Sequence, residues 1–188
     1  MLMDFGRDVQ ENPNGQEMRR RRRQLTDDQN QPYVDLFSSK VGDKCSEYLA
    51  RHPSPSDVLG RAFFGSKSFG GEKMILSTLN SYPSDAITLP NFKLNDQYLQ
   101  WKVRMKTPIE LICSYSVDVE RLKFRGCTML AYDPSLRKVY HGNCINVAEE
   151  RIKGFFPELG IQLHVKYAKF LLDGMVAELD KIAADSMK

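Results

Sequence analysis

Between residues 161 and 182 the apolar side chains fall at Ile161, Val165, Ala168, Leu172, Met175, Leu179 and Ile182. The steps alternate four and three, so the spacing predicts a long helix with one face apolar from end to end. Upstream, from Tyr98, the period drops to two. In residues 99–106 Leu99, Trp101, Val103 and Met105 alternate with Gln100, Lys102, Arg104 and Lys106. One side buried and the other wet is the pattern of an antiparallel strand. Residues 109–117 alternate more weakly, and 125–132 and 138–145 predict two further strands. Asp133-Pro134-Ser135 lies between those two. Proline presets the backbone angle of a turn and Asp bonds to the backbone locally, so this is a hairpin. Gly154 and Pro157 punctuate the passage into the final helix.

The first half of the chain is less regular. Residues 1–32 are Asn, Gln, Gly, Pro and charge with almost nothing apolar, which predicts a disordered tail. Residues 33–37 (Tyr-Val-Asp-Leu-Phe) predict a first strand. Two short helices are expected after it. One starts at Ser54-Pro55-Ser56-Asp57, with hydroxyl caps and an early proline, and carries Val58, Leu59, Ala62, Phe63 and Phe64. Gly65 ends it. The other follows Gly70-Gly71, with Met74, Ile75 and Leu79 inward. Residues 85–94 are a further candidate strand. The expected architecture is α+β: a curved antiparallel sheet gripping a long C-terminal helix, in a single domain over 33–188.

Composition narrows the function classes. At 188 residues, 41% hydrophobic and 27% charged, the chain suits one globular domain. The formal charge is only +3, and the tail balances six basic residues against six acids, so the excess belongs to the body. A body so weakly basic argues against nucleic acid as partner. No apolar run of 18 residues exists, so no transmembrane segment is expected, and the N-terminus lacks the apolar core of a secretory signal. Cys45, Cys113, Cys127 and Cys144 form no CxxC pair, so neither a metal nor any other cofactor is implied. Free thiols in a reducing compartment are the expected state, with core packing as their ordinary role. The location expected is therefore the cytoplasm. The run Arg19, Arg20, Arg21, Arg22, Arg23 adds nuclear import as an alternative, and Thr26 stands three residues after it at a spacing basophilic kinases accept.

The order of elements, strand then short helices then antiparallel strands then a long helix, resembles the helix-grip order of the START-like (SRPBCC) superfamily. The segments that carry the resemblance are Arg61-Ala62-Phe63-Phe64-Gly65-Ser66 with Glu72 and Leu76 following, the strand around Trp101, the hairpin over 132–140, and His164-x-x-Tyr167 leading to Leu171-Leu172. Together they span residues 33–182 and look like an uncharacterised branch. The family usually has six or seven strands, against five read from this chain. Membership would imply a cavity between sheet and last helix, and a role in binding a hydrophobic small molecule or lipid.

Several residues are candidates for such a pocket, each with an ordinary packing alternative. Trp101, Met105, Ala168, Leu172 and Met175 can line an apolar wall or simply fill a core, with Ala168 and Met175 the places where room is expected. Tyr115 shares a strand face with Leu111 and Cys113 and can offer a hydroxyl inward. His164 and Tyr167 are three apart, hence on one helix face, and can fix a ligand's polar group. His141 shares a face with Val139, Asn143 and Ile145, while Tyr140 and Cys144 point the other way. Its titration near neutral pH makes it a natural acid–base group. An enzyme of cyclase or isomerase type using His141 or His164 is thus an alternative to a binding protein. A third is a protein-interaction module delivered by its basic tail. Sheet edges of this kind can pair between subunits, which leaves a homodimer open. Tyr98 and Lys102 match a dehydrogenase spacing, but on a strand and without a glycine-rich nucleotide loop.

Overall fold

The computed structural model describes residues 32–80, 92–119, 122–146 and 158–186, all within the compact unit Pro32–Lys188. The tail with Arg19 to Arg23, residues 85–91 of the candidate strand over 85–94, and Gly154 and Pro157 lie outside the described residues, and residues 92–94 are not in a strand. In chain order the elements are β1 (Tyr33–Lys40), α1 (Asp43–Arg51), α2 (Pro55–Gly65), α3 (Lys67–Asn80), β2 (Gln97–Tyr98), β3 (Trp101–Lys106), β4 (Glu110–Val119), β5 (Leu122–Asp133), β6 (Lys138–Asn146) and α4 (Glu158–Ser186). The six strands form one antiparallel, curved sheet in the order β1-β6-β5-β4-β3-β2. Strands β2 to β6 are a simple meander, and β1 closes the far edge against β6. The link from β1 to β2 must therefore cross the full width of the sheet. It does so as three helices, and α4 packs among them against β1 and β6.

Each turn and cap has a local cause. Asp133 Oδ1 accepts from the backbone N–H groups of Ser135 and Leu136 and from the Ser135 hydroxyl, at 2.6–3.1 Å, and closes the β5–β6 hairpin. Pro55 occupies the first turn of α2 behind Ser54, whose hydroxyl, expected to cap the helix, makes no cap bond and instead meets the Ser56 hydroxyl at 3.1 Å. Helix α1 falls outside the two expected, because only Cys45, Ser46 and Leu49 of its nine residues are buried. Helix α3 starts before Gly70-Gly71 instead of after it. The helix penalty of two glycines, about 1 kcal/mol each, is offset by Phe69, which is fully buried beside Trp101 and Phe63. Met74 is exposed, and the side chains of Ile75 and Leu79 lie outside those described.

The register sorts every strand residue onto one of two faces. Facing the helices are the rows Tyr33–Ile145–Gly126–Tyr115–Trp101, Asp35–Asn143–Thr128–Cys113–Val103 and Phe37–His141–Leu130–Leu111. On the opposite face run Val34–Cys144–Cys127–Ser114–Lys102 and Leu36–Gly142–Met129–Ile112–Met105. A bulge between Val103 and Met105 decides the last position. It puts Arg104, bonded to Ser114 Oγ at 2.7 Å, and Met105 on the outer face. Lys106 then turns inward to Asp57 of α2 at 2.5 Å.

Inside, Phe63, Phe64, Phe69, Phe92, Tyr98 and Trp101 form a continuous aromatic cluster, with neighbouring ring centroids 4.9–6.3 Å apart. The apolar stripe of α4 completes the core with Ala168, Leu171, Leu172, Met175, Leu179 and Ala183. Val165 and Ile182 are only half-buried, and Leu171 and Ala183 join the stripe beyond the expected positions. The side chain of Ile161 lies outside those described.

Candidate functional site

The β1–β6 side of the same interior is polar. Asp35 stands between Tyr33 and Phe37 in the inward phase of β1. Its Oδ1 accepts from the Asn143 backbone N–H at 3.2 Å and from Asn143 Nδ2 at 3.1 Å. Two longer contacts extend the row: Thr128 Oγ1 donates to Asn143 Oδ1 at 3.5 Å, and Trp101 Nε1 donates to Thr128 Oγ1 at 3.4 Å. Every donor in this chain points along the sheet toward the Asp35 carboxylate. Oδ2 of Asp35 is left facing α4, where His164 Nε2 lies 2.8 Å away. The two are in contact without the N–H alignment of a hydrogen bond, and neither atom has a hydrogen-bond partner.

His141 sits one row further along, 1% exposed, its ring 5.0 Å from Phe63. Its Nδ1 is 3.1 Å from the carbonyl oxygen of Ala168. A carbonyl only accepts, so Nδ1 carries the proton. Burial pulls the imidazole pKa down from 6.5 to about 4, against the raising effects of the Ala168 carbonyl and Asp35. At neutral pH the ring is therefore uncharged, and Nε2 is a bare acceptor. That acceptor is buried and has no partner. Leaving such an atom unsatisfied costs about 1–3 kcal/mol.

A second acid closes the site from α3. Tyr167 donates its hydroxyl to Glu72 Oε2 at 2.6 Å. Burial raises the Glu72 carboxyl above its usual range, while the Tyr167 bond and nearby His164 draw it back. His164 is also held edge-on by Tyr33, with ring centroids 5.4 Å apart. Tyr115 comes in from β4, its phenol pushed up by burial first and then by Cys127, Glu72, Asp35 and Cys144. Gly126 makes room for it. A Cβ there would stand 2.6 Å from the Tyr115 hydroxyl and 2.5 Å from the Cys144 carbonyl oxygen, closer than any side chain tolerates.

Of the expected pocket residues, the structure brings Tyr115, His141, His164, Tyr167 and Ala168 to one end of the interior, Ala168 through its carbonyl as well as its small side chain. Trp101 lies toward the aromatic cluster, and Leu172 and Met175 are fully packed in the core. Met105 is not with them, because the bulge carries it to the other face of the sheet. Sequence reasoning passed over Asp35 and gave Glu72 no chemical role. A signal for Asp35 existed: an acid in phase with Tyr33 and Phe37 on an alternating strand points inward. For Glu72 none did, since only the packing of α3 against α4 brings it to Tyr167. Four buried side-chain atoms among the described residues have no hydrogen-bond partner, and three of them, Asp35 Oδ2, His141 Nε2 and His164 Nε2, belong to this cluster. The fourth is Gln100 Oε1, in the β2–β3 turn. That concentration marks the cluster as the candidate site.

No protein-family model, curated protein or solved structure matches this chain. Among the described residues no group of three or more His, Cys, Asp or Glu side chains is arranged to hold a metal, and no helix is long and apolar enough to cross a membrane.

Proposed function

We propose that this protein binds a hydrophobic small molecule or lipid between the sheet and α4, as the helix-grip resemblance implies, with the polar head of the ligand at Asp35, His141 and His164. The observation that carries this reading is the buried, partnerless acceptor at His141 Nε2. Such an acceptor calls for a donor, so the head group is a hydroxyl or an N–H. Tyr115 and Ala168 would flank it, and Trp101, Leu172 and Met175 would form the apolar wall. Native mass spectrometry before and after organic extraction tests this. A small mass that disappears on extraction, and is absent from the His141→Phe protein, is the expected result. A clean apo mass, with no thermal shift from long-chain alcohols, sterols or fatty acids, would overturn it.

A second reading has its own observation. The Asp35–His164 pair places a carboxylate against an imidazole, the arrangement that orients a general base. An isomerase or cyclase on this scaffold would use His164 as its acid–base group, since burial pulls His141 down to about 4 and leaves it too weak a base to take up a proton near neutral pH. His164→Gln would then abolish turnover of a bound compound without releasing it. Unchanged turnover in that variant would remove the enzyme reading.

A further inference from the structure

Cys127 and Cys144 face each other on the outer side of the sheet, away from the candidate site. They are direct cross-strand partners in the β5–β6 ladder. Partners of this kind have Cα atoms about 4.5–5.5 Å apart, within the range of about 4.4–6.8 Å that a disulfide needs. The strands would not have to move. Both side chains leave the same face of the sheet at this rung, and both are partly exposed. The other two cysteines are placed differently. Cys45 is buried in α1 at 1% exposure, and Cys113 is buried on the inner face of β4 at 3%. Neither can reach the outer pair without unfolding.

We propose that Cys127 and Cys144 are a reversible dithiol–disulfide site oxidised by hydroperoxides. The two sulfurs have different parts. Cys127 opposite it lowers the Cys144 thiol from its ordinary value, which makes Cys144 the sulfur that ionises first. Cys127 is pushed up, chiefly by its neighbour Cys144 and then by burial, and keeps its proton. The Cys144 thiolate attacks one peroxide oxygen, the O–O bond breaks, and the departing hydroxide takes a proton to leave as water. Cys144 is then a sulfenic acid. Cys127 Sγ attacks that sulfur, the S–O bond breaks, and the hydroxyl leaves with the Cys127 proton as a second water. Two thiols and one hydrogen peroxide become one disulfide and two waters, the sulfurs losing the two electrons that the peroxide gains. A dithiol reductant reverses the change. The resulting rung lies one residue from Asn143, which holds Asp35.

The test uses the reduced full chain and hydrogen peroxide, followed by alkylation in denaturant and peptide mapping by mass spectrometry. The expected result is a cross-linked peptide joining Cys127 to Cys144, with the loss of two hydrogens, reversed by dithiothreitol, while Cys45 and Cys113 remain alkylated. In Cys127→Ser the reaction should stop at a sulfenic acid on Cys144, trapped by dimedone at least about tenfold faster than Cys45 in the same sample. Pairing with Cys45 or Cys113, linkage only between chains, or no cross-link would overturn the proposal. So would dimedone labelling spread evenly over the remaining cysteines. Should Cys127→Ser fail to fold, the cross-link in the natural sequence decides alone.

Discussion

The two ends of the space under the helices differ in kind. Toward β3 and β4, Phe63, Phe64, Phe69, Phe92 and Trp101 pack ring against ring, mostly edge-on or tilted. Toward β1 and β6, Asp35, Asn143, His141, His164, Glu72 and Tyr115 share the same sheet and the same α4, yet three of their atoms go without hydrogen bonds. Aromatic packing explains the fold and asks for nothing else. Partnerless acceptors cost stability, and a protein that retains them in a cluster has another use for the positions. The contrast separates the part that holds the domain together from the part that can act.

The largest effect should come from the aromatic end. Phe69→Ala removes a ring at the centre of the cluster and should cost about 3–5 kcal/mol, read from urea unfolding. A loss below 1 kcal/mol would mean that this end is as loosely made as the other. Next is the pH response of His141. Its folded pKa, about 4, lies below the unfolded 6.5, so the unfolded chain takes up protons first. Stability is then fully present above pH 6.5 and lost as pH falls toward 4, by about 3 kcal/mol in all. His141→Phe should flatten that dependence and, having no orphaned acceptor, unfold at an equal or higher urea concentration at pH 7. A variant that keeps the acid-sensitive step would assign it to another group. Smaller still is Asp35→Asn, which removes the charge facing His164 while preserving size. It should cost about 1–3 kcal/mol in ligand binding and much less in folding, so a thermal shift by ligand should shrink while the apo melting temperature holds. Equal loss in both would make Asp35 purely structural. The smallest is Tyr167→Phe at the exposed rim, below about 1 kcal/mol, checked by the same unfolding curve.

How much could be read in advance depended on whether the cause was local. The Asp133-Pro134-Ser135 turn acts on its own backbone, and its hairpin is where the residues place it. The α4 stripe is a matter of spacing along one helix, and Ala168, Leu172, Met175 and Leu179 are buried as expected. Met105 escaped because a bulge is a property of two strands: nothing within residues 101–106 shows that Ile112 will face it. The β2–β3 hairpin escaped for a related reason. Leu99 turns it at φ 52°, where glycine or asparagine is the ordinary signal. Its side chain is buried at 8% exposure, and that burial offsets the strain of the left-handed backbone.

By itself the sequence determined the periods: a helix stripe at steps of three and four, strands at steps of two, the turn between β5 and β6, and which residues share a strand face with His141 and with Tyr115. Those follow from backbone geometry and the cost of leaving apolar surface in water, which act on neighbours in the chain. Only the tertiary structure decided that Asp35 meets His164, that Glu72 meets Tyr167, that Cys127 meets Cys144, and that Met105 leaves the interior. Each is a contact across 7 to 129 residues of chain, fixed by strand register and helix docking, which no local pattern encodes.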